Sequence, residues 1–195
     1  YGTAAVANFL VRRCGIRFLA VARLFEACQI QDSGCPDCGI LILGPVPAFQ
    51  IPTIVKRKIE IPLFRVEEAK KQGLASVKAH IKIETGMNRI GARPGKELSD
   101  LLSCIKGLGN IEIDGVFTHF ATADQANEGK GNDFTREQFS RFLEGLSQIR
   151  EAGITPRYVH CCNTGATAWL KEAYSVCTHV RTGSLYLGYS SIQND

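Results

Sequence analysis

Residues 17–44 have the sequence RFLAVARLFEACQIQDSGCPDCGILILG, which holds a strand, a helix and a second strand in that order. The apolar run Arg17–Val21 predicts the first strand. Leu24–Gln31 predicts the helix, which the turn residues Ser33 and Gly34 end. Gly39–Leu43 is a continuous apolar run and predicts a buried strand. Two strands joined through a helix are typical of a parallel sheet covered by helices, so this stretch predicts an α/β protein.

The same alternation continues in both directions along the chain. Further helices are predicted at Thr3–Arg13, Ala48–Arg57, Val66–Gly73, Lys96–Gly107, Thr135–Ala152 and Thr164–Lys171. Further strands are predicted at Ile59–Phe64, Lys78–Ile83, Ile111–Phe117, Arg157–Cys161 and Val176–Val180. Thr135 and Gln138 fit a capping box at the start of the longest helix. That helix carries an apolar stripe made of Phe139, Phe142, Leu143, Leu146 and Ile149.

About seven strands, each preceded by a helix, leave two architectures open: an open doubly wound sheet and a closed barrel. A barrel of this type has eight strands in typically about 250 residues. Because the helix Thr3–Arg13 has no strand before it, the sequence predicts an incomplete TIM-type (β/α)8 barrel whose first strand is missing. Residues 1–195 are expected to be one domain, without a linker or a short repeat.

Composition narrows the class of protein. The 195 residues are 45% hydrophobic and 22% charged, with a formal net charge of +4, which excludes disorder and a coiled coil. The cations are scattered, so no nucleic-acid partner is expected. No apolar run reaches membrane length, so no membrane partner is expected either. The start, Tyr1-Gly2-Thr3, carries neither an initiator methionine nor a signal peptide, and we expect the chain to be a fragment.

Eight cysteines are too few, at this length, for a disulfide scaffold. Cys35 and Cys38 have CxxC spacing, but a zinc site would need a second pair with ligand spacing. The adjacent residues Cys161 and Cys162 are poorly suited to supply it. We therefore expect free thiols in a reducing, cytosolic compartment and no metal site.

In a parallel barrel, functional side chains lie at the carboxyl ends of the strands. Lys82 and Glu84 share one face of a predicted strand and precede a glycine turn, so they either serve a site or lie in water at the rim. His119 follows the next strand, where it either stacks on a ring or transfers protons, or is a satisfied core histidine.

Two later loops point to a phosphorylated ligand. Asn163 and Thr164 begin a helix, where a free hydroxyl either binds an anion or simply caps the helix. Gly183, which follows Arg181 after the last predicted strand, allows close approach of the backbone to a ligand. The loops after strands seven and eight of such barrels often bind phosphate.

Four segments together resemble the signature motifs of bacterial alanine racemases. They are IKIETGMNRIG at residues 81–91, THFATAD at 118–124, HCCNTGA at 160–166 and VRTG at 180–183. The segments follow the family's order over essentially the whole chain, and four motifs in order are much more specific than any one of them.

The resemblance implies a barrel that binds pyridoxal 5′-phosphate and interconverts L- and D-alanine for peptidoglycan precursors, in a cytoplasmic homodimer. It implies cofactor binding by Tyr1, His119, His160, Asn163, Thr164, Arg181, Gly183 and Ser184. In this family Arg181 faces the pyridine nitrogen, which the guanidinium keeps unprotonated, and His160 supports Arg181.

The resemblance also implies a catalytic group made of Lys82, Arg89 and His119. Arg89, together with Met87, is expected to contact the substrate. Lys82 matches a lysine that several members carry as a carbamate, which then bonds the arginine. No metal is implied.

The chain departs from the family in two places. The Schiff-base lysine belongs four residues before Tyr1, and the second base, a tyrosine, belongs to a C-terminal domain of the partner subunit. The 195 residues, a barrel domain truncated at both ends, are therefore expected to be inactive alone. The alternatives are a serine or broad-specificity racemase, a non-catalytic barrel that binds pyridoxal phosphate, and a barrel enzyme acting on sugar phosphates.

Overall fold

The computed structural model describes residues 2–72, 76–125 and 129–189. The predictions for Tyr1 and for the helix end at Gly73 fall outside these residues. The chain forms two compact units. The first consists of Tyr1–Pro62, Lys70–Ala79 and Leu108–Glu112, and the second of Leu63–Ala69, His80–Gly107 and Ile113–Asp195.

The first unit contains the strand–helix–strand stretch. Its elements are α1 (Thr3–Cys14), β1 (Phe18–Val21), α2 (Leu24–Asp32), β2 (Gly39–Ile42), a 3-10 turn (Ala48–Gln50) and α3 (Ile51–Arg57). Strands β1 and β2 are parallel, with Phe18 opposite Gly39, as predicted. Beyond β2, the Ile42 N–H donates to the Glu60 carbonyl at 2.9 Å and the Glu60 N–H donates to the Ile40 carbonyl at 2.8 Å.

Local chemistry sets the ends of these helices. Gly15 ends α1 in the left-handed region, at φ 69°, and its N–H donates to the Leu10 carbonyl. At the start of α2, the Glu26 carboxylate accepts the backbone N–H groups of Ala22 and Arg23 at 2.8 and 2.9 Å. The N–H of the N-cap residue and that of the residue before it are thereby paired.

The chain continues with β3 (Ile61–Leu63), α4 (Val66–Gln72), β4 (Val77–Lys82), α5 (Lys96–Leu108), β5 (Ile111–Phe117), α6 (Gly129–Glu151), β6 (Tyr158–His160) and α7 (Thr164–Trp169). Their sheet has the order β3-β4-β5-β6, and β5 and β6 are parallel with Gly115 opposite Tyr158. The carboxyl ends of β4, β5 and β6 therefore lie along the same edge of this sheet, and they carry the candidate residues.

Two amphipathic helices bury their apolar sides in the second unit. Leu98, Leu101, Leu102 and Ile105 of α5 are buried, as are Phe139, Phe142, Leu146 and Ile149 of α6. Each such side chain contributes about 1.5–3 kcal/mol on burial. Leu143, predicted to lie in the same stripe, is 38% exposed, which narrows the apolar face by one residue.

The predicted start of the longest helix is wrong. Helix α6 begins at Gly129, so Thr135 lies inside the helix rather than at its cap. Thr135 and Gln138 are both fully buried, and the Gln138 side chain bonds to other segments instead of closing a capping box.

None of the helices in the described residues combines the length and the apolar character needed to cross a bilayer.

The strand predicted at Val176–Val180 is also wrong. The described residues contain six strands, in sheets of two and four, and no strand follows β6. The segment does lie beside β6, where the Thr178 and His179 N–H groups both donate to the Val159 carbonyl, at 2.8 and 3.3 Å. The Thr178 hydroxyl accepts the Val159 N–H at 2.9 Å, so a side chain replaces the backbone partner and ends the ladder.

Candidate functional site

Strand β4 presents His80, Lys82 and the following Glu84 at alternate positions. All three side chains are buried, with 0%, 2% and 7% exposure. Since side chains two residues apart on a strand share a face, they line one side of the chain as it leaves the sheet. The sequence analysis predicted Lys82 and Glu84 as a pair on one face but did not include His80. His80 lies two residues before Lys82, so the same alternation would have placed it on that face.

Lys82 is buried at the end of β4, and its closest contacts within the described residues are a backbone carbonyl and an aromatic ring. Its Nζ donates to the Ile83 carbonyl at 2.9 Å and lies 5.5 Å from the centroid of the Phe117 ring. Burial lowers the pKa of the Lys82 amine to about 7, and the positive charges of Arg181 and Arg89 act in the same direction, against Glu84. The neutral amine is therefore far more accessible at neutral pH than that of an exposed lysine.

Glu84 holds the loop that follows β4. Its Oε1 accepts the Gly86 N–H at 2.5 Å and its Oε2 accepts the Arg89 N–H at 3.3 Å. Burial alone would raise the pKa of Glu84, but these backbone donors, that of Asn88 and the charge of Lys82 hold it below its usual range. The carboxylate is therefore ionised at neutral pH, and it positions the loop.

The loop returns to its own start. Ile83 and Ala92 form a parallel bridge, the Glu84 N–H donates to the Ala92 carbonyl at 2.9 Å, and Gly91 at φ 143° lies against the Glu84 backbone. A Cβ on Gly91 would lie 2.5 Å from the Glu84 nitrogen, so this close approach requires glycine. Arg89, predicted to bind substrate, is exposed on this loop.

Arg181 lies where the segments following β5 and β6 meet. Its Nη1 donates to the His160 carbonyl at 2.9 Å, and its Nη2 donates to the Thr118 carbonyl at 2.6 Å and the Cys161 carbonyl at 3.4 Å. Its Cζ lies 5.5 Å from the Phe117 ring centroid, the same ring that Lys82 faces. Burial lowers the pKa of Arg181 to about 10, so it keeps its charge at neutral pH.

A chain of hydrogen bonds runs from Arg181 through two histidines. Arg181 Nη1 lies 2.7 Å from His160 Nδ1, and His160 Nε2 lies 2.9 Å from His80 Nδ1. Because a guanidinium only donates, His160 Nδ1 must accept, and its Nε2 must carry the proton that it shares with His80. Burial, followed by the charge of Arg181, puts the pKa of His160 well below its usual value, which keeps the ring neutral.

Arg181 contacts a third imidazole. Its Nη2 lies 3.3 Å from Nδ1 of His119, which is half-buried. Burial lowers the pKa of His119 to about 4, and the charges of Arg181, Arg89 and Lys82 add to the effect. His119 is therefore neutral at physiological pH, with its Nδ1 lone pair toward Arg181. The structure thus brings together three predicted residues: Arg181, His119 and His160.

The predicted anion-binding residues form a second group. Asn163 caps α7, since its Oδ1 accepts the Ala166 N–H at 3.1 Å, and its Nδ2 donates to the Phe120 carbonyl at 3.3 Å. The Thr164 hydroxyl accepts the Gly183 N–H at 3.0 Å. The helix start and the loop after Arg181 are therefore within hydrogen-bonding distance, and the predicted Ser184 follows directly in the chain.

Sequence analysis missed a buried polar network under the His119 loop. Gln138 Oε1 accepts the Ala121 N–H at 2.9 Å, and its Nε2 donates to Thr85 Oγ1 at 3.2 Å. Thr85 Oγ1 and Thr118 Oγ1 are 2.8 Å apart, and Thr118 donates to the Ile83 carbonyl. The sequence did contain an indication of this network, since Gln138 is a polar residue on the apolar side of an amphipathic helix. We instead predicted that Gln138 belongs to a capping box.

Gly115 was missed for a different reason. A Cβ at this position in β5 would lie 2.3 Å from His80 Nδ1, so the imidazole occupies the space that a side chain would take. A glycine inside a strand indicates such a close approach, without saying which group approaches.

The chain matches the family model described as alanine racemase, N-terminal domain, over residues 1–191. The chain belongs to this family. The family's fold is a TIM-type barrel, so the predicted fold class is confirmed, with six parallel strands present in the described residues.

Relatives and solved structures of alanine racemases agree with the assignment. The alanine racemase of Clostridium tetani is 34% identical over 195 residues, covering 97% of this chain and 48% of that protein. Alanine racemase 2 of Caldanaerobacter subterraneus is 35% identical over 198 residues, covering 98% and 49%. The chain thus spans about half the length of the curated relatives it matches.

Two solved structures are informative about fold and substrate. That of the alanine racemase from Oenococcus oeni has a TM-score of 0.84 and 29% identity, covering 97% of this chain and 54% of that one. That of the histidine racemase from Leuconostoc mesenteroides has a TM-score of 0.77 and 25% identity, covering 95% and 49%. Proteins named for two different amino acids thus share the alanine racemase fold of this chain.

Proposed function

We propose that this chain is the cofactor-binding barrel of a pyridoxal-phosphate-dependent racemase that interconverts L- and D-alanine. The observation that carries the proposal is the hydrogen-bonded chain Arg181–His160–His80 beside a neutral His119. Family membership supports the same conclusion. The cytoplasmic location, the peptidoglycan role and the homodimer stay predictions of the resemblance.

The donors present fit the cofactor. Thr164 and Gly183 offer a hydroxyl and a backbone N–H 3.0 Å apart, and both can turn to a phosphate oxygen. The neutral imidazole of His119 offers a flat face to an aromatic ring, and Arg181 offers a permanent cation. When bound, pyridoxal phosphate supplies the sink for the electron pair that the Cα–H bond leaves behind.

Each side chain then has a defined task. Arg181 would face the pyridine nitrogen of the bound cofactor and donate to it without protonating it at neutral pH, since the pKa of Arg181 is about 10. His160 and His80 fix the guanidinium in place. Glu84 holds the loop that carries Arg89, whose charge suits the carboxylate of an amino acid.

We also propose that Lys82 is carbamylated. Its low pKa makes the amine neutral enough to attack CO2, forming an N–C bond and releasing one proton to solvent. The product anion lies near Arg181 and Arg89, whose charges disfavour the ammonium. Labelled bicarbonate should give a carbamate carbon signal by NMR at pH 8 that Lys82→Met abolishes and Lys96→Met, at an exposed lysine, retains. A signal that survives Lys82→Met refutes this assignment.

Cofactor binding is tested on the chain itself. Titration with pyridoxal phosphate, followed by the absorbance of the bound cofactor and by protection against urea, should saturate at one equivalent. Arg181→Ala removes a charged donor and should weaken binding roughly 10–100-fold. Arg150→Ala, at an exposed arginine of α6, is the matched control and should not. Equal affinity of all three proteins would contradict the assignment of Arg181.

Racemisation is tested on the complete gene product that contains these residues. Deuterium from D2O should appear at the Cα of alanine starting from either enantiomer, and serine and histidine serve as competing substrates. Exchange with serine or histidine but not alanine would replace the proposed substrate. Saturable cofactor binding without exchange on any amino acid would favour the non-catalytic binding protein.

A further inference from the structure

We propose that Cys161, Cys162 and Cys177 bind one thiophilic d10 metal ion, Cu(I) or Zn(II). The three Sγ atoms all lie within 4.8 Å of one another, with Cys161 and Cys162 3.9 Å apart and Cys161 and Cys177 3.3 Å apart. The inference is independent of the racemase proposal, because none of its steps involves the cofactor or an amino acid.

The spacing matches a three-sulfur coordination shell. Zn–S bonds are about 2.3 Å, so three sulfurs around an ion in their plane lie about 4.0 Å apart. Both Sγ–Sγ separations given above are shorter than this value, 3.9 Å slightly and 3.3 Å by about 0.7 Å. One ion can contact all three sulfurs once Cys161 Sγ and Cys177 Sγ move apart by about 0.7 Å, a shift that rotation about the two Cα–Cβ bonds supplies.

The local backbone explains how adjacent cysteines share a site. Neighbouring residues on a strand point to opposite faces, but β6 ends at His160 and the chain turns toward the cap of α7 at Asn163. Cys161 and Cys162 lie in this turn, where their sulfurs approach each other. The sequence analysis judged the adjacent pair poorly suited as the second half of a zinc site and did not consider Cys177 together with it.

Cys177 is held opposite them by hydrogen bonds on both sides. Its N–H donates to the Ala173 carbonyl at 2.8 Å, and the next residue, Thr178, donates to the Val159 carbonyl at 2.8 Å. Further along, the Arg181 N–H donates to the Cys162 carbonyl at 2.9 Å. The three thiols are therefore arranged before an ion binds, which lowers the entropic cost of binding.

The surroundings favour a soft ion over a hard one. Within the described residues the group contains sulfur donors only, and thiolates select Cu(I) and Zn(II) over Mg²⁺ or Ca²⁺. Cys161 and Cys162 have no exposed surface, whereas Cys177 is half-buried and gives an ion a way in. The Arg181 guanidinium donates to the Cys161 carbonyl and offsets the negative charge of a three-thiolate complex.

Binding exchanges protons and transfers no electrons. Three S–H bonds break, three metal–sulfur bonds form, and three protons leave to the solvent for each ion bound. The ion would connect the segment before Asn163 to the segment before Arg181. It would thus brace the two loops that carry the predicted anion-binding and guanidinium groups.

The test uses the whole chain in its reduced form. Cu(I) and Zn(II) are each added in competition with a chromophoric chelator, while sulfur-to-metal charge-transfer absorption and proton release in weak buffer are recorded. We expect one equivalent of either ion at this site, with three protons released per ion. Binding of Cu(I) alone supports a three-coordinate site, and binding of both supports one that water completes.

Matched variants locate the site. Cys177→Ser and Cys162→Ser should each weaken binding at least tenfold, whereas the double variant Cys35→Ser/Cys38→Ser should leave it unchanged. If a variant fails to fold, alkylation of the wild-type chain with and without the ion decides instead. The bound ion should protect Cys161, Cys162 and Cys177 from alkylation, and mass spectrometry identifies the modified cysteines. Binding lost only with Cys35 and Cys38, no stoichiometric binding, or a Cys161–Cys177 disulfide in place of the bound ion would each overturn the proposal.

Discussion

Replacing Gly115 by alanine should destabilise the second unit through His80. The new Cβ would lie 2.3 Å from His80 Nδ1 and 2.5 Å from its Cε1. To restore contact near 3.4 Å the ring must withdraw by about 1 Å, which lengthens its 2.9 Å bond to His160 beyond hydrogen-bonding range.

The expected magnitude has two parts. Overpacking a buried position costs roughly 1–3 kcal/mol, and a buried donor left without its acceptor costs about 1–3 kcal/mol more. His80 is fully buried and stacks on Tyr158 at 5.6 Å between ring centroids, so it has little room to relax. We therefore expect Gly115→Ala to lower the free energy of unfolding by about 2–6 kcal/mol.

Urea unfolding followed by circular dichroism measures this cost. The dependence of the unfolding free energy on urea concentration should be the same in the variant and the wild type, which shows that the unfolded states are comparable. Gly107→Ala is the matched control, because Gly107 lies in α5 with nothing near its Cβ, and it should be neutral or stabilising by up to about 1 kcal/mol. In a His80→Ala background, Gly115→Ala should cost less than about 1 kcal/mol. An unchanged midpoint for Gly115→Ala, or an equal cost in both backgrounds, would refute the reasoning.

Three further predictions concern buried polar groups. The pKa of Lys82 in the folded chain lies near 7, against its usual 10.5. In CO2-free buffer, where Lys82 is an amine, its charged form therefore destabilises the fold below pH 7, and this cost fades as pH rises to about 10. The stability advantage of Lys82→Met in urea should shrink over that range, and a constant difference would contradict it. His119, with a pKa near 4, should show an unprotonated Nδ1 by nitrogen NMR from pH 6 to 8, whereas titration near 6.5 would show that burial does not control it. Gln138→Leu removes the acceptor of the Ala121 N–H and should cost about 1–3 kcal/mol, with faster hydrogen exchange at Ala121; exchange as slow as in the wild type would mean that another acceptor takes over.

Hydrophobic periodicity correctly predicted strands whose hydrogen-bond ladder is formed by backbone groups alone. It was wrong where a side chain takes the place of a backbone partner. The parallel pair β1 and β2 was predicted because both strands are short continuous apolar runs. The segment Val176–Val180 was also predicted as a strand, but it contains two polar residues, and the Thr178 hydroxyl accepts the Val159 N–H and ends the ladder. Threonine is compatible with a strand and also with a hydrogen bond from its hydroxyl to the backbone of an adjacent strand. Which of the two occurs depends on where that strand lies, and the sequence does not give this position.

The candidate site divides in the same way. His119 and His160 were predicted at the ends of strands, and the parallel sheet brings these ends together. Arg181 was predicted after a strand that does not form, and it reaches the two histidines because Val176–Val180 lies beside β6. His80 depends on the empty volume above Gly115, a relation between residues 35 positions apart that no local pattern contains. The cysteine cluster likewise depends on the turn after His160, where strand alternation no longer applies.

The loop between Ile83 and Ala92 leaves and re-enters the sheet edge at one place, fastened there by the Ile83–Ala92 bridge and internally by Glu84. Residues within the loop can therefore change without changing the contacts that β4 makes in the sheet. Doubling the length of such a loop costs only about 0.6 kcal/mol in closure entropy. Arg89, which lies on its exposed part, can accordingly be exchanged or displaced by evolution at little expense to the fold. With the role proposed for Arg89, substrate preference would be open to selection separately from stability.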